Sequence, residues 1–504
     1  ATGRELVALV LSRHGFDPAA EARAGRPVLL VEGGIHAGEI EGKDAGFWLA
    51  RDLVTGAALP ELLDVATVVF VPIFNVDGHE RFGANNRPNQ RGPEEMGFRT
   101  NAAGLNLNRD FVKVDTPEMA ALLGLWRRWD PTVFVDLHTT DGAKFEHDVA
   151  VMVAPKASRG DDLEAAGRAL QDALIERVAA AGHLPLAFYP SFDVDDDPAS
   201  GFTDGDAPPR FSQAYATTRN RLGILVETHS WRTYPERVPA TRHVLEAVFA
   251  EAITHGRRWR DVEAAADAAD RGAAGRDVVL MSHGDPAAPR TIDFRGYRYQ
   301  RVPSEVSGGT WTQYDETQPE VWHVPLRDHL VPGLTVRAPG AGYVVDGGYA
   351  AAIAPRLDAH GLRYQQVAED ADLDAEVWRI ARPTFGKTFE GRTAATITGA
   401  WARERRRAVR GAIFVPVAQP GARLILHLFE PTAPDALVAW GLFNAALEQK
   451  EYMEPYVAEE IARGLLKDPA IAAAFAEALK DPAFAADPAR RLDWFYRRSP
   501  AWDE

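Results

Sequence analysis

The stretch GGIHAGEIEG, residues 33–42, follows the apolar run PVLLVE and places His36 and Glu39 three residues apart where a buried strand should end. With 14 histidines in the chain, the His-x-x-Glu spacing occurs three times, at His36/Glu39, His243/Glu246 and His427/Glu430. Context separates them. His243 and Glu246 fall inside a long amphipathic helical pattern, where such a pair is a surface contact. His427 and Glu430 fall in LILHLFE, read as a strand whose alternation sends them to opposite faces. Only His36 and Glu39 stand between a strand and the helix that follows it, at the carboxyl edge where open α/β sheets bind ligands. That edge recurs twice: TVFVDLHTTDG ends a strand at His138, and LGILVETHSW ends another at Glu227. Two histidines and a carboxylate fill three positions of a tetrahedral zinc and leave the fourth for water, and a further glutamate is the base such a water needs.

The elements that must position these groups follow from the hydrophobic pattern. ELVALVLS, PVLLVEGG, ATVVFVPIF, TVFVDLH, VAVMVAP and LGILVETHS are short apolar runs, with helical segments such as EMAALLGLWRRW and DLEAAGRALQDALIERVAAAG between several of them. That is an α/β pattern with a largely buried sheet. The Ala-rich stretch at 261–277 is the expected linker, dividing a domain at 1–260 from a region at 278–504. Beyond it, DFRGYRYQRV, EVWHVPLRDHL and GAIFVPVAQPGARLILHLF read as strands, and ALVAWGLFNAALEQKEYM and PYVAEEIARGLL as helices.

Composition narrows the class. The chain has 504 residues, 46% apolar and 25% charged, enough for a sizeable core. Its net charge of −16 argues against a nucleic-acid partner, which needs clustered Lys and Arg. No apolar run approaches the roughly 18 residues of a membrane span. Cysteine is absent, so any metal site must use His, Asp and Glu. The sequence begins at ATGRELV without an initiator Met, consistent with a periplasmic or secreted protein after signal removal or with a trimmed, otherwise cytoplasmic chain.

At these residues the chain resembles the M14 (carboxypeptidase A-like) zinc carboxypeptidases. GGIHAGE is similar to the family's His-x-x-Glu zinc segment, VPIFNVDGHERF to its Asn-Pro-Asp-Gly-type segment, and LNLNRDF to its Asn-Arg segment; DLHTTDG fits the third ligand and LVETHS the catalytic glutamate. The resemblance covers residues 3 to about 255 and implies a three-layer α/β/α fold around a mixed, mostly parallel sheet, followed by a C-terminal α+β region. It implies one Zn²⁺ on His36, Glu39 and His138, with Glu227 as general base and Arg99 as the donor to the tetrahedral oxyanion. Asn108 and Arg109 would bind the free carboxylate of a peptide substrate. The implied activity is removal of a C-terminal residue. The alternatives are a zinc-dependent deacylase of N-acyl amino acids and a non-catalytic zinc- or peptide-binding module. Two departures stand out: Asn106 replaces the Asp that often orients the first zinc histidine, and Tyr215 is the nearest match to the family's active-site tyrosine. Arg210, Arg219 and Arg221 in the same stretch are either substrate contacts or solvated.

Overall fold

The computed structural model describes residues 2–448 and 450–502. A seven-stranded sheet forms the centre, built from β1 (Leu9–Leu11), β2 (Val28–Gly33), β3 (Thr67–Val71), β4 (Val133–Thr140), β5 (Val149–Ala154), β6 (Pro185–Leu186) and β8 (Leu222–His229), while β7 (Phe202–Thr203) joins a different sheet. Its order is β1-β3-β2-β4-β8-β5-β6. The three central pairings, β3 with β2, β2 with β4 and β4 with β8, are parallel, as is β5 with β6; β1 with β3 and β5 with β8 are antiparallel. The sheet is therefore mixed and mostly parallel.

Helices cover both faces. They are α1 (Pro18–Ala24), α2 (Glu41–Thr55), α3 (Leu62–Val65), α4 (Val76–His79), α5 (Pro117–Trp129), α6 (Asp162–Ala180), α7 (Ser212–Thr218) and α8 (Tyr234–Asp270). Alternation along β2 sends Leu29 and Val31 into one core, with Leu49 of α2, Leu170 of α6 and Val248 of α8. Val28 and Leu30 enter the opposite core, with Leu123 and Trp126 of α5 and Tyr215 of α7. All six β2 residues are buried, which is why the run reads as continuously apolar until Glu32.

The remaining strands are β9 (Asp277–Gly284), β10 (Arg290–Pro303), β11 (Thr310–Arg327), β12 (Leu330–Arg337), β13 (Gly342–Val345), β14 (Gln365–Gln366), β15 (Ala371–Phe389), β16 (Arg392–Ala408) and β17 (Ile413–Pro416). With them come α9 (Gly347–His360) and α10 (Ala422–Phe429). LILHLFE is thus helical in α10, not a strand; Gly421 at its start takes a φ of +83°, which suits glycine. The Ala-rich stretch is not a linker over its first part, since α8 runs to Asp270 and buries Val262, Glu263 and Ala266. Compactness groups Ala1–Phe443 as one unit and Asn444–Glu504 as another. Within the first unit, Ile353 and Leu357 of α9 and Leu424 and Ile425 of α10 complete the core beneath Val71 and Trp126.

The second unit holds α11 (Pro455–Leu465), α12 (Pro469–Ala478), α13 (Pro482–Ala485) and α14 (Pro488–Tyr496). Proline opens each helix, and Asp468, Asp481 and Asp487 cap the last three through their side chains. Phe475, Phe484 and Phe495 pack at its centre. The helix expected over ALVAWGLFNAALEQKEYM is a series of turns with a short 3-10 stretch at Asn444–Leu447, and Gln449 lies outside the described residues. Gly441, at a φ of +76°, interrupts the helical pattern.

A chain ended after Arg276 would expose the apolar face that Ile353, Leu357, Leu424 and Ile425 cover, and contiguous exposed apolar surface favours aggregation. We expect such a fragment to aggregate or to melt without a cooperative transition in differential scanning calorimetry. A soluble fragment with a sharp transition would show that the first 276 residues fold alone.

Candidate metal centre and its cavity

Three adjacent parallel strands deliver the site. His138 and Glu227 are register partners on β4 and β8, so both side chains stand on one face. His36 and Glu39 occupy the turn between β2 and α2, where Gly34 adopts a φ of +67°. Gly38 lets this turn press against the segment that follows α4: a Cβ there would lie 2.6 Å from the Arg87 side chain and 2.7 Å from the Gly97 carbonyl.

The donor atoms of His36, Glu39 and His138 all lie within 4.8 Å of one another, and all three residues are buried. Glu39 bridges the imidazoles, with Oε1 3.0 Å from His36 Nδ1 and Oε2 2.9 Å from His138 Nδ1. The far nitrogens are held from behind: His36 Nε2 is 3.1 Å from Asn106 Oδ1 and His138 Nε2 is 2.7 Å from Asp136 Oδ2. Both Nδ1 atoms therefore face a common point. His36 Nδ1 and Glu39 Oε1 are buried yet lack a hydrogen bond of acceptable geometry. Two imidazoles and one carboxylate converging with unsatisfied donors fit a zinc ion.

Burial and neighbouring charges act differently on the residues of the cluster. Burial lowers His36 to about 4, against the attraction of Glu39, so its imidazole is neutral at physiological pH. Burial raises the Glu39 carboxyl, but the charges of His36 and Arg87 and the hydrogen bond from His138 outweigh it and hold Glu39 well below the carboxylate range. Burial opposes the charged form of His138, and Asp136 and Glu227 overcome it. Glu227, 6% exposed, is raised to about 8 by burial, with His138 and Arg99 pulling down and Glu39 and Asp136 pushing up.

The cavity, about 410 Å³, is lined by His36, Glu39, Arg99, Asn108, Arg109, His138 and Glu227 together. These seven residues expected from the sequence thus meet in one place. Arg99 Nη1 is 3.7 Å from Glu39 Oε1. Asn108 Nδ2 lies 3.4 Å from His138 Nε2, and Arg109 packs 4.4 Å over the Phe211 ring while its Nη1 donates to the Asn108 carbonyl at 2.7 Å. Burial lowers the pKa of Arg109, and Arg99 and Arg210 push in the same direction.

Other residues of the site went unread. Asp136 sits two positions before His138, and the period of a strand marks it as that histidine's neighbour on the same face. Arg87, 7% exposed and 2.8 Å from Glu39 Oε1, comes from a turn-rich segment that carries no pattern. Tyr189 lines the cavity, accepts a hydrogen bond from Thr140 Oγ1 at 3.0 Å and has its pKa raised by burial and Glu227. Tyr215 is not an active-site residue: it is 1% exposed in the core, with its hydroxyl 3.0 Å from His360 Nδ1. Arg210 pairs with Asp435 at 2.8 Å and Arg221 with Asp130 at 2.5 Å, which occupies both in structural contacts.

The layout is a three-residue group able to hold a metal ion, at the carboxyl edge of a mixed α/β sheet. The resemblance read from the sequence is borne out: residues 1–143 match the zinc carboxypeptidase family model. Carboxypeptidase D of Mus musculus and that of Rattus norvegicus are each 30% identical over 130 residues, 23% of this chain and 9% of theirs. The chain thus spans less than a tenth of the length of these curated relatives. Among solved structures, a metallo-carboxypeptidase from Burkholderia cenocepacia aligns with a TM-score of 0.36 and 18% identity over 50% of this chain and 62% of that one. One from Pseudomonas aeruginosa, in complex with (2-guanidinoethylmercapto)succinic acid, gives 0.35 and 19% over 50% and 62%.

Replacing Asn106 by Ala removes the acceptor behind His36 and should weaken zinc binding about 10- to 100-fold, as measured by competition with a chromogenic chelator. His36→Ala should abolish stoichiometric binding. An unchanged affinity in both variants would remove zinc from these ligands.

Proposed function

We propose that the protein is a zinc-dependent exopeptidase that hydrolyses the C-terminal peptide bond of peptides. The observation that carries this reading is the meeting, in one cavity, of a two-histidine, one-glutamate donor set with a buried glutamate and an Asn-Arg pair. A bare metal-binding module has no use for Glu227.

One Zn²⁺ held by His36, Glu39 and His138 would supply Lewis acidity at the scissile bond. Glu227 takes the proton of the attacking water on its carboxylate and returns it to the leaving amine; burial raises its pKa, which makes that carboxylate a stronger base than an exposed one. Arg99, which lines the cavity beside Glu39, donates to the oxygen that becomes negative as the carbonyl turns tetrahedral. Arg109 and Asn108 bind the free α-carboxylate, the guanidinium through charge-assisted bonds. Requiring that carboxylate is what restricts cleavage to the last residue.

The test is release of free amino acid from N-blocked dipeptides with different C-terminal residues, with and without a chelator. Glu227→Gln should lower kcat by about 10²–10⁴. Arg109→Ala should raise KM by about 10- to 100-fold, the worth of a charged hydrogen bond, and C-terminally amidated peptides should resist the wild type. Chelator-insensitive hydrolysis, or wild-type kcat in Glu227→Gln, would sink the mechanism. Hydrolysis of N-acyl amino acids with no dipeptide cleaved would assign the site to a deacylase.

A further inference from the structure

The β15–β16 hairpin reverses at Glu390 and Gly391, since Phe389 and Arg392 are its last register pair. Both turn residues have positive φ, +50° and +74°. Such a turn favours Asn-Gly, because a glutamate has no local hydrogen bond to offset the left-handed backbone. The sequence TFEGRT keeps glutamate there nonetheless.

Its carboxylate has a distant partner. Glu390 Oε2 accepts a hydrogen bond from the Asn106 backbone N–H at 2.7 Å, across 284 positions of sequence. On the other side of the turn, Arg392 makes two bonds to the Asp115 carboxylate, at 2.6 and 2.5 Å. Gly391 sits between them against Leu105, where a Cβ would come within 3.3 Å of a Leu105 methyl. Asp115 is further gripped by Arg356 at 2.6 Å and Lys113 at 3.2 Å. One hairpin tip therefore pins both ends of residues 106–115. Between the pins lie Asn108 and Arg109 on the 3-10 turn Leu107–Arg109, for which Asn106 is the cap, its Oδ1 accepting from the Asn108 N–H at 3.0 Å.

We propose that the Glu390–Arg392 turn is a positioning device for the carboxylate clamp, holding Asn106, Asn108 and Arg109 in the geometry that substrate requires. Glu390 and Arg392 are positioning residues. They act through the backbone of 106–115 and not on the reacting atoms. The inference rests on the exopeptidase reading for what is positioned, and on the two tethers alone for how.

The experiment uses the full chain with Glu390→Ala, Glu390→Gln and Arg392→Ala, following amide hydrogen exchange over residues 105–112 together with steady-state kinetics. Loss of the charged acceptor in Glu390→Ala should speed exchange there about tenfold and raise KM by a similar factor, with kcat within about threefold of wild type. The amide of Glu390→Gln still accepts from the Asn106 N–H and should restore both readouts to within about threefold. Arg392→Ala should act in the same direction as Glu390→Ala and serves if the latter fails to fold. Exchange and KM unchanged in both alanine variants would overturn the proposal. So would Glu390→Gln behaving as Glu390→Ala with a lowered KM, which would reduce Glu390 to a charge acting on Arg109. If the wild type hydrolyses no peptide, the functional reading fails while the exchange data still decide the tether.

Discussion

The structure turns on one buried carboxylate. Glu39 is 1% exposed, and a lone charge there would cost far more than a surface ion pair returns, so its surroundings must supply compensating charge and hydrogen bonds. They do so from four directions: His36 in its own turn, His138 and the Thr139 N–H at the end of β4, Arg87 from the segment after α4, and Arg99 further out. Each contributor comes from a different part of the chain. The carboxylate thus ties β2, β4 and the long segment from Gly83 to Phe111 to one point. Around it the acids outnumber the fixed cations, because Glu32, Asp136 and Glu227 are also buried. Glu32 and Asp136 are register partners across β2 and β4, and burial together with Asp136 pushes Glu32 well above the carboxylate range. A divalent cation is the natural complement of such a cluster.

Sheet topology makes that concentration possible. Parallel neighbours end on the same edge, about 4.8 Å apart, so three strands ending in polar residues bring those residues within ligand distance without any long excursion of backbone. The apolar alternation behind them anchors the edge on two helical layers. Rigid strands rather than loops therefore fix His138 and Glu227, and the turn carrying His36 and Glu39 is held by its contacts with Arg87 and Gly97.

This explains what could be read in advance. His36, Glu39, His138 and Glu227 interrupt apolar runs at strand ends, a signal that local sequence carries by itself. Arg99, Asn108 and Arg109 were legible only through resemblance, since nothing in GFRTN or LNLNRDF fixes where the side chains go. Arg87 and Glu390 were not legible at all, because their partners lie 48 and 284 positions away and only the folded chain brings them together. The misreadings are local in origin. LILHLFE is too short for periodicity to separate a strand from a buried helix. The Ala-rich boundary looked like a linker by composition, whereas alanine is the strongest helix former and simply continues α8.

The second half of the first unit is bound to the half that carries His36, Glu39 and His138 by the same economy of buried polar groups. His360 of α9 is 1% exposed and carries two defined contacts: Nε2–H donates to the Val112 carbonyl at 3.0 Å, which leaves Nδ1 to accept from the Tyr215 hydroxyl at 3.0 Å. Burial lowers its pKa to about 3, so the neutral tautomer that both bonds need is the one present at physiological pH. Tyr215 is thereby committed to packing, whereas Tyr189 lines the cavity wall. The same half lends Leu280, Arg423 and His427 to that cavity from β9 and α10. Residues far beyond the segment that carries His36, Glu39 and His138 therefore shape the cavity, and they belong to it as much as the strand ends do.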